Sequence, residues 1–488
     1  MSYEINIMNL KLSALICFLS IIPVTGGVSP AAADEVPDPE PFPPVPSPAQ
    51  LKWHKAEYMM FVHFGMKTFY PSSNHMGNGK EDPGKFNPKH YDANQWVEAA
   101  KEGGFKGIVL TTKHHDGFCN WPTGTTDHCV RSSTWKGGKG DIVGELVKAC
   151  RKGGISFGFY VSIIDHNFNA TGSEKYETYG EFYYDQLKEL STQYGPIDEY
   201  WFDGFRADKL KMDYRKIAEL IKTAQPDAVV YDSGTLVKYL PDRSLRWPNN
   251  HGGVGPDQNY RVNQDDKLIW YPNEPSLILQ GNWFYCGKPM HDLEKIKNYY
   301  LQSTGHGVTP LMNVSPNKDG LIDKDSVGKL KEFKKWVDEI HSGDLARGKK
   351  VAITADSVRG NHAKFAADKV ADGDFETYHA TDDGVTTTTI EVNLGEKKEV
   401  DGFILQEYIP LGQRVESYAI ECMVNGKWVE VFTGKRIGYK RIILEGRVTA
   451  KKARFPATYK VRLKIRSSLA CPLISTFQVA GKISGDGK

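Results

Sequence analysis

The sequence predicts an α/β fold, a (β/α)8-type, TIM-like barrel, followed by an all-β sandwich. Three observations carry this expectation. At 488 residues the chain exceeds what one hydrophobic core usually serves, so two or three domains are expected. From residue 51 to about 341, buried-strand patterns alternate with helix-length amphipathic segments, as repeated β-α units around a parallel sheet require. After Gly343 the texture changes to short alternating segments separated by Gly and Asp turns, which suits an antiparallel sandwich.

The first strand pattern runs over 58–64 and is followed by a helix over 93–103. Then come a strand over 105–111, a helix over 141–152, a strand over 155–162 and a helix around 183–193. A strand over 197–202, a helix over 214–224 and a strand over 228–232 continue the alternation. Gly103-Gly104, Gly153-Gly154 and Gly195-Pro196 stand where helices should stop. Right-handed crossovers give a parallel sheet, and over this length a closed barrel is its natural form. The second half is less regular: 268–271, a helix over 293–303, 311–314 and a helix over 326–339. An open doubly wound sheet is the alternative, but no glycine-rich nucleotide fingerprint follows the first strand, and no cofactor is expected. In the C-terminal part the strand segments are 388–394, 402–406, 417–424, 428–432 and 459–465.

The N-terminus reads as an export signal. Lys11 precedes an apolar stretch over 12–24, and a small-residue segment ends at Ala31-Ala32-Ala33-Asp34. The stretch is short for a membrane span, so the expectation is an exported protein, periplasmic or extracellular, with no stable membrane insertion after signal cleavage. A proline-rich run from Pro37 to Pro48 reads as an extended tether. The domain plan is therefore a signal peptide over 1–33, a linker over 34–50, a barrel over 51–342 and a sandwich over 343–488. Lys plus Arg total 62 against 60 Asp plus Glu, so nothing draws the chain to nucleic acid or acidic membranes. Beyond Cys17, the six cysteines at 119, 129, 150, 286, 422 and 471 lack metal-ligand spacing. A Cys119–Cys129 bridge is the one disulfide considered, with buried free thiols the preferred reading.

In such a barrel chemistry sits where strands end. Those positions hold His63, His114-His115-Asp116, Tyr160 to Asp165, and Trp201 to Gly204. Asp203 follows apolar strand residues and Gly204 allows an immediate turn, so its carboxylate projects into the barrel mouth. Metal ligand, helix cap and nucleophile are its three possible roles, and a carboxylate nucleophile fits glycosyl transfer. Adjacent side chains at a strand end diverge, so His114 and His115 read as donors to sugar hydroxyls, with His63 as a third, rather than as metal ligands. Trp121 and Trp283 are candidate stacking platforms for a sugar face, against ordinary core packing.

These motifs are where a resemblance enters. Phe61-Val62-His63-Phe64-Gly65-Met66-Lys67-Thr68-Phe69, Glu81-Asp82-Pro83-Gly84-Lys85-Phe86-Asn87-Pro88 and Thr112-Lys113-His114-His115-Asp116-Gly117-Phe118 resemble the α-L-fucosidases of glycoside hydrolase family 29. So do Tyr194-Gly195-Pro196-Ile197 through Trp201-Phe202-Asp203-Gly204, Asn282-Trp283-Phe284-Tyr285 and Leu311-Met312-Asn313-Val314-Ser315-Pro316. They follow in order over 51–337 and are most similar to the subgroup selective for branched α-1,3/4-fucosides. The resemblance implies that His63, His114, His115, Tyr160, Trp201 and Trp283 bind the sugar and that Asp203 attacks it, in a retaining exo-glycosidase acting on oligosaccharides or glycoconjugates. Near 372–378 and 405–414 the chain resembles discoidin-like, galactose-binding-like modules. Their Asp-Gly-Asp turn sometimes holds calcium; a plain β-turn is the preferred reading of Asp372-Gly373-Asp374.

Three departures stand out. The family's Glu-Trp pair after the first strand is replaced by Asn74-His75-Met76-Gly77, leaving His75 as a candidate sugar contact. The subgroup's Ser-Pro-Trp-Asp is Ser162-Ile163-Ile164-Asp165. After the Arg-Trp pair, here Arg246-Trp247, the expected acid/base glutamate is His251. Arg246 is retained as a substrate-binding candidate. Retaining hydrolysis needs a proton donor to the leaving oxygen. Either Glu274 has taken this role, or His251 serves, or no efficient acid remains. The functional reading is a retaining fucosidase-type enzyme that is weak on ordinary fucosides or shifted toward another galacto-configured glycoside such as a β-D-galactoside. The alternative is a catalytically impaired carbohydrate-binding protein.

Overall fold

In a computed structural model of the chain the described residues are 36–70, 76–168, 173–204, 212–232, 235–246, 260–262, 267–447, 450 and 453–483. The described residues from Asp38 onward form one compact unit. The signal segment, His75 and His251 lie outside the described residues. Among the described residues no helix is long and apolar enough to cross a membrane.

The first element is the helix α1 (Pro48–Ala56), followed by β1 (Met59–Val62), α2 (Met66–Phe69), α3 (Ala93–Glu102), β2 (Gly107–Lys113), α4 (Ile142–Gly153) and β3 (Ser156–Ser162). Next come α5 (Ser173–Gln193), β4 (Glu199–Asp203), α6 (Tyr214–Ala224), β5 (Val229–Asp232), β6 (Ser244–Arg246), β7 (Tyr260–Val262), β8 (Leu268–Trp270), β9 (Ser276–Ile278), α7 (Leu293–Gln302), β10 (Leu311–Asn313) and α8 (Lys324–Ser342). Eight strands form a curled parallel sheet in the order β6-β5-β4-β3-β2-β1-β10-β9. Its edges meet where Arg246 N–H donates to Pro272 O and Glu274 N–H to Arg246 O, both at 2.8 Å.

Local chemistry explains the regular half. Asp92 and Asp141 cap α3 and α4 through the backbone N–H groups of Asn94 and Gly144. Gly154, at φ +69°, ends α4 in the left-handed region, as the Gly153-Gly154 pair predicts. β1 and β2 are buried throughout because helices cover one face and the barrel interior the other. Alternation along β4 turns Tyr200 and Phe202 toward the helices, while Trp201 joins an interior cluster with Phe61, Tyr160 and Tyr231. Glu199 and Asp203 share the phase of Trp201.

Two expectations are corrected here. Residues 268–271 are not a barrel strand: among the described residues β8 pairs only with β7, in a two-stranded antiparallel ribbon. The barrel strands of that half are β6, β9 and β10, three residues each; β10 falls on the expected 311–314, whereas β6 and β9 are too short to show a period. Among the described residues no α-helix lies between β5 and β6, so the (β/α) alternation is incomplete there. The proline-rich run is also held from Asp38 onward. Phe42 N–H donates to Leu411 O at 2.9 Å, Arg414 to Glu40 O at 2.6 Å, and the Tyr378 hydroxyl to Asp38 at 2.7 Å. α1 begins inside the span read as linker, with Ser47 and Gln50 forming a capping box.

The C-terminal part comprises β11 (Ala352–Ala355), β12 (His379–Ala380), β13 (Thr388–Lys398), β14 (Gly402–Glu407), β15 (Val415–Val424), β16 (Lys427–Lys435), β17 (Arg441–Leu444), β18 (Thr458–Ser468) and β19 (Leu473–Ala480). A five-stranded sheet, β11-β13-β18-β15-β16, and a four-stranded sheet, β12-β19-β14-β17, both antiparallel, make the sandwich. Ile404, Ile442 and Leu444 from β14 and β17 belong to the buried cluster of the barrel's helical layer. The Asp372-Gly373-Asp374 turn spends its carboxylates locally. Asp372 accepts from Asp374 N–H (2.9 Å) and the Thr377 hydroxyl (2.6 Å), and Asp374 accepts from Glu376 N–H (2.9 Å). The six described cysteines are free thiols, Cys119 and Cys129 included.

Candidate active site

At the C-terminal end of the parallel sheet a cavity of about 280 Å³ opens among the ends of β1 to β5. Asp203, the last residue of β4, enters it, and Gly204 turns the chain away at φ +146°. A Cβ at Gly204 would come within 3.0 Å of the Ile163 side chain, so glycine is needed for the carboxylate to sit there.

The Tyr160 hydroxyl donates to Asp203 Oδ2 at 2.8 Å, and His115 Nε2 lies 3.4 Å from the same oxygen. Burial pushes the Asp203 carboxyl up, but the His115 and Tyr160 hydrogen bonds and the field of His63 outweigh it and hold it below the usual carboxylate range. Burial and the Asp203 charge raise the Tyr160 phenol, so it remains a protonated donor. His115 is fixed from behind. Ser162 Oγ, 2.8 Å from Ile164 O, meets His115 Nδ1 at 2.6 Å and holds the ring with Nε2 toward Asp203. His63 is set by Asn313: its Nδ1 meets Asn313 Oδ1 at 2.6 Å, and Asn313 Nδ2 donates to Trp283 O at 2.8 Å, which fixes the amide's orientation.

The floor and walls are aromatic. Trp201 lies against Tyr231, with centroids 3.9 Å apart and planes within 4°, and against Tyr160 at 5.3 Å. His114 stacks on the other face of this row, 5.5 Å from Tyr160, and His63 stacks on Trp283 at 4.9 Å. Behind the double histidine, Lys113 is fully buried. It pairs with Asp165 Oδ2 (3.1 Å), donates to Gln186 Oε1 (2.8 Å) and faces the Tyr183 ring. This buried cation pins the end of β2 to the loop after β3. Such geometry suits a polyhydroxylated ring with one apolar face: imidazole and phenol groups for hydroxyls, aromatic rings for C–H surfaces, one ionised carboxylate for an electrophilic carbon.

Of the residues singled out from sequence, His63, His114, His115, Tyr160, Trp201, Asp203 and Trp283 meet in this cavity. Three others do not. Trp121 is a core residue, 1% exposed, whose indole N–H donates to Glu189 at 2.8 Å. Glu274 is 0% exposed and lies behind Trp201, accepting from the indoles of Trp53 (2.8 Å) and Trp201 (3.0 Å). It is withheld from any leaving group. Arg246 ends β6 half-buried and is not among the cavity-lining residues. Sequence reading missed Phe61, Tyr231 and Ser276 in the lining and Lys113, Ser162 and Asn313 as supports. Tyr231 stood at the end of a recognised strand pattern, which was the available signal.

Comparison with known proteins decides the family. The α-L-fucosidase family model matches residues 45–341, and the F5/8 type C domain model matches 352–471. α-L-Fucosidase 1 of Arabidopsis thaliana is 33% identical, over 89% of this chain and 88% of its own length. The chain belongs to the α-L-fucosidase family. Among solved structures, a Ruminococcus gnavus fucosidase of glycoside hydrolase family 29, in complex with fucose, aligns with a TM-score of 0.83 at 25% identity. The alignment covers 92% of this chain and 97% of that one. A family 29 member from an unknown rumen bacterium aligns at 0.74 with 28% identity, covering 92% and 79%. This α-L-fucosidase-family protein is thus a glycoside hydrolase whose C-terminal sandwich is discoidin-like.

Proposed function

We propose that this protein is a retaining, exo-acting fucosidase in which Asp203 is the nucleophile and His63, His114, His115, Tyr160, Trp201 and Trp283 hold the terminal sugar. The observation that carries the reading is the Asp203 carboxylate, kept ionised beside Tyr160 and His115 in a sugar-sized cavity. In the first step an Asp203 oxygen bonds to the anomeric carbon as the glycosidic C–O bond breaks and the leaving oxygen takes a proton. In the second, water gives a proton to a base and displaces the carboxylate. With Glu274 behind Trp201, His251 is the proposed proton donor, on its place after Arg246-Trp247; imidazole titrates in a usable range.

The proposed substrate is a fucosylated glycan carrying branched α-1,3/4-linked fucose, turned over weakly. Loss of an optimal general acid typically costs about 10²–10⁴ in rate, least for aryl leaving groups. Met76 and Ile164 give the cavity an aliphatic side, and the loss of the family's Glu-Trp pair and of the subgroup's tryptophan is the ground for a shift toward another galacto-configured sugar such as a β-D-galactoside. An exported setting, periplasmic or extracellular, fits such a glycan.

The test compares wild type and Asp203→Gly on aryl α-L-fucoside, aryl β-D-galactoside and a branched fucosylated oligosaccharide. Expected is turnover of the aryl fucoside that falls about 10³-fold or more in the variant, returning with azide as the β-fucosyl azide. Sugar binding without turnover by wild type would instead support the impaired binding protein.

A further inference from the structure

Beneath the sugar cavity lies a second buried acidic element that the hydrolytic chemistry does not use. Glu199 opens β4, two residues before Trp201 and four before Asp203, so all three side chains share the interior phase of the strand. Glu199 is 1% exposed, and no donor from a described residue reaches either of its carboxyl oxygens. What it meets is the carboxyl of Glu274. Both Glu274 oxygens are already engaged, Oε1 by Trp53 and Oε2 by Trp201. Two facing carboxylates in a dry interior repel, and a proton between them turns the repulsion into a hydrogen bond. Burial first, then the charge of Glu274, raises Glu199 well above the usual carboxylate range; burial also raises Glu274, to about 7, against the hydrogen bonds of Trp53, Glu199 and Trp201, which lower it.

We propose that Glu274, faced by the carboxyl of Glu199, is a positioning residue that fixes Trp201 as the floor of the sugar cavity and couples it to Trp53 of α1. The indole of Trp201 has two stacking partners, Tyr160 and Tyr231, but rings in face-to-face contact slide easily in their own plane. The hydrogen bond from Trp201 Nε1 to Glu274 Oε2, 3.0 Å long, removes that freedom. Trp53 extends the hold to the helix that precedes the barrel, and Gln50, three residues earlier on α1, donates to Ser244 O and Trp270 O at 3.1 Å each. The role assigned to Trp201 as a sugar platform rests on the fucosidase reading; the network beneath it does not.

The experiment compares wild type with Glu274→Gln, Glu199→Gln and Trp53→Phe. Two measurements are made: kinetics on aryl α-L-fucoside with free L-fucose as inhibitor, and the indole 15N–1H resonances of Trp53 and Trp201, assigned through the Trp→Phe variants. Glutamine at 199 supplies the N–H that the protonated acid supplies, so kcat, KM and both resonances should stay at wild-type values. Glutamine at 274 offers one acceptor oxygen to two indoles. KM and the fucose inhibition constant should rise about 10- to 100-fold with kcat changed far less, because a platform contacts ground and transition states alike. The Trp201 resonance should shift. Trp53→Phe, remote from the sugar, should raise KM by a smaller factor and move the Trp201 resonance too; it decides the matter should Glu274→Gln fail to fold. The proposal is overturned if Glu274→Gln and Trp53→Phe leave KM and the Trp201 resonance unchanged, or if Glu199→Gln perturbs both as much as Glu274→Gln. Should wild type neither cleave nor bind fucosides, the fucosidase reading falls, and the resonances alone still accept or reject the network.

Discussion

At the residue scale the site turns on how one carboxylate is kept ionised inside a largely apolar cavity. Desolvation alone would raise Asp203, and two named donors reverse the sign. The ionised form is the nucleophile. Because its titration lies below the ordinary 3.8, Asp203 remains competent above that value and loses competence only as pH falls through the lowered one. Tyr160→Phe removes the 2.8 Å donor while leaving the ring. Its acidic limb of kcat/KM should therefore move upward, by about one pH unit, the size expected from a charge-assisted hydrogen bond. A pH–rate profile of the two proteins checks this. The strand ends that supply Asp203, His63, His114 and His115 were legible because each is polar directly after a buried run. Glu274 was misread for a physical reason: a glutamate in a loop-like Trp-Tyr-Pro-Asn context gives no hint that two indoles will claim it from below. Trp121 was misread because a tryptophan's sequence environment does not tell a sugar platform from a core ring hydrogen-bonded to Glu189.

At the scale of elements, the first five barrel strands were legible, and of the last three only β10 was. β2 and β3 have seven residues each and β4 has five, long enough for a buried pattern bounded by helix stops. β6, β9 and β10 have three each, and only Leu311–Asn313 was marked from sequence, through its motif. Such short strands are held by what packs beneath them. Gln50 of α1 is 1% exposed and satisfies the carbonyls of Ser244 at the start of β6 and Trp270 at the end of β8. Gln50→Leu should cost about 2–3 kcal/mol, the desolvation of two buried carbonyls left without donors, measured as a lower midpoint in urea with an unchanged slope. An unchanged midpoint would mean that α1 is not what fixes that side of the barrel.

For the whole molecule, the sequence pattern separates barrel from sandwich cleanly near Gly343, but it does not reveal that they share a core. Ile404, Ile442 and Leu444 are each no more than 1% exposed and belong to the cluster around α7 and α8. Gln478 in β19, itself buried, donates to Ile340 O at 2.7 Å, and the buried Lys440 pairs with the half-buried Glu57. Exposing three large aliphatic side chains forfeits roughly 1.5–3 kcal/mol each, comparable in sum with a typical domain's net stability. A chain ending at residue 343 should therefore be much less thermostable than the full chain, or aggregate. A truncated barrel with wild-type Tm would contradict this and make the sandwich a freely appended module.

The central claim is that Asp203 becomes covalently bonded to the sugar. Incubation with a 2-deoxy-2-fluoro-fucosyl fluoride tests it most directly, since the fluorine at C2 slows the second step and a good leaving group speeds the first. The expected result is an intact mass raised by one fluorofucosyl group, located by peptide mapping on Asp203 and absent in Asp203→Gly. Labelling of a different carboxylate, or normal turnover of an aryl fucoside by Asp203→Gly, would contradict the account.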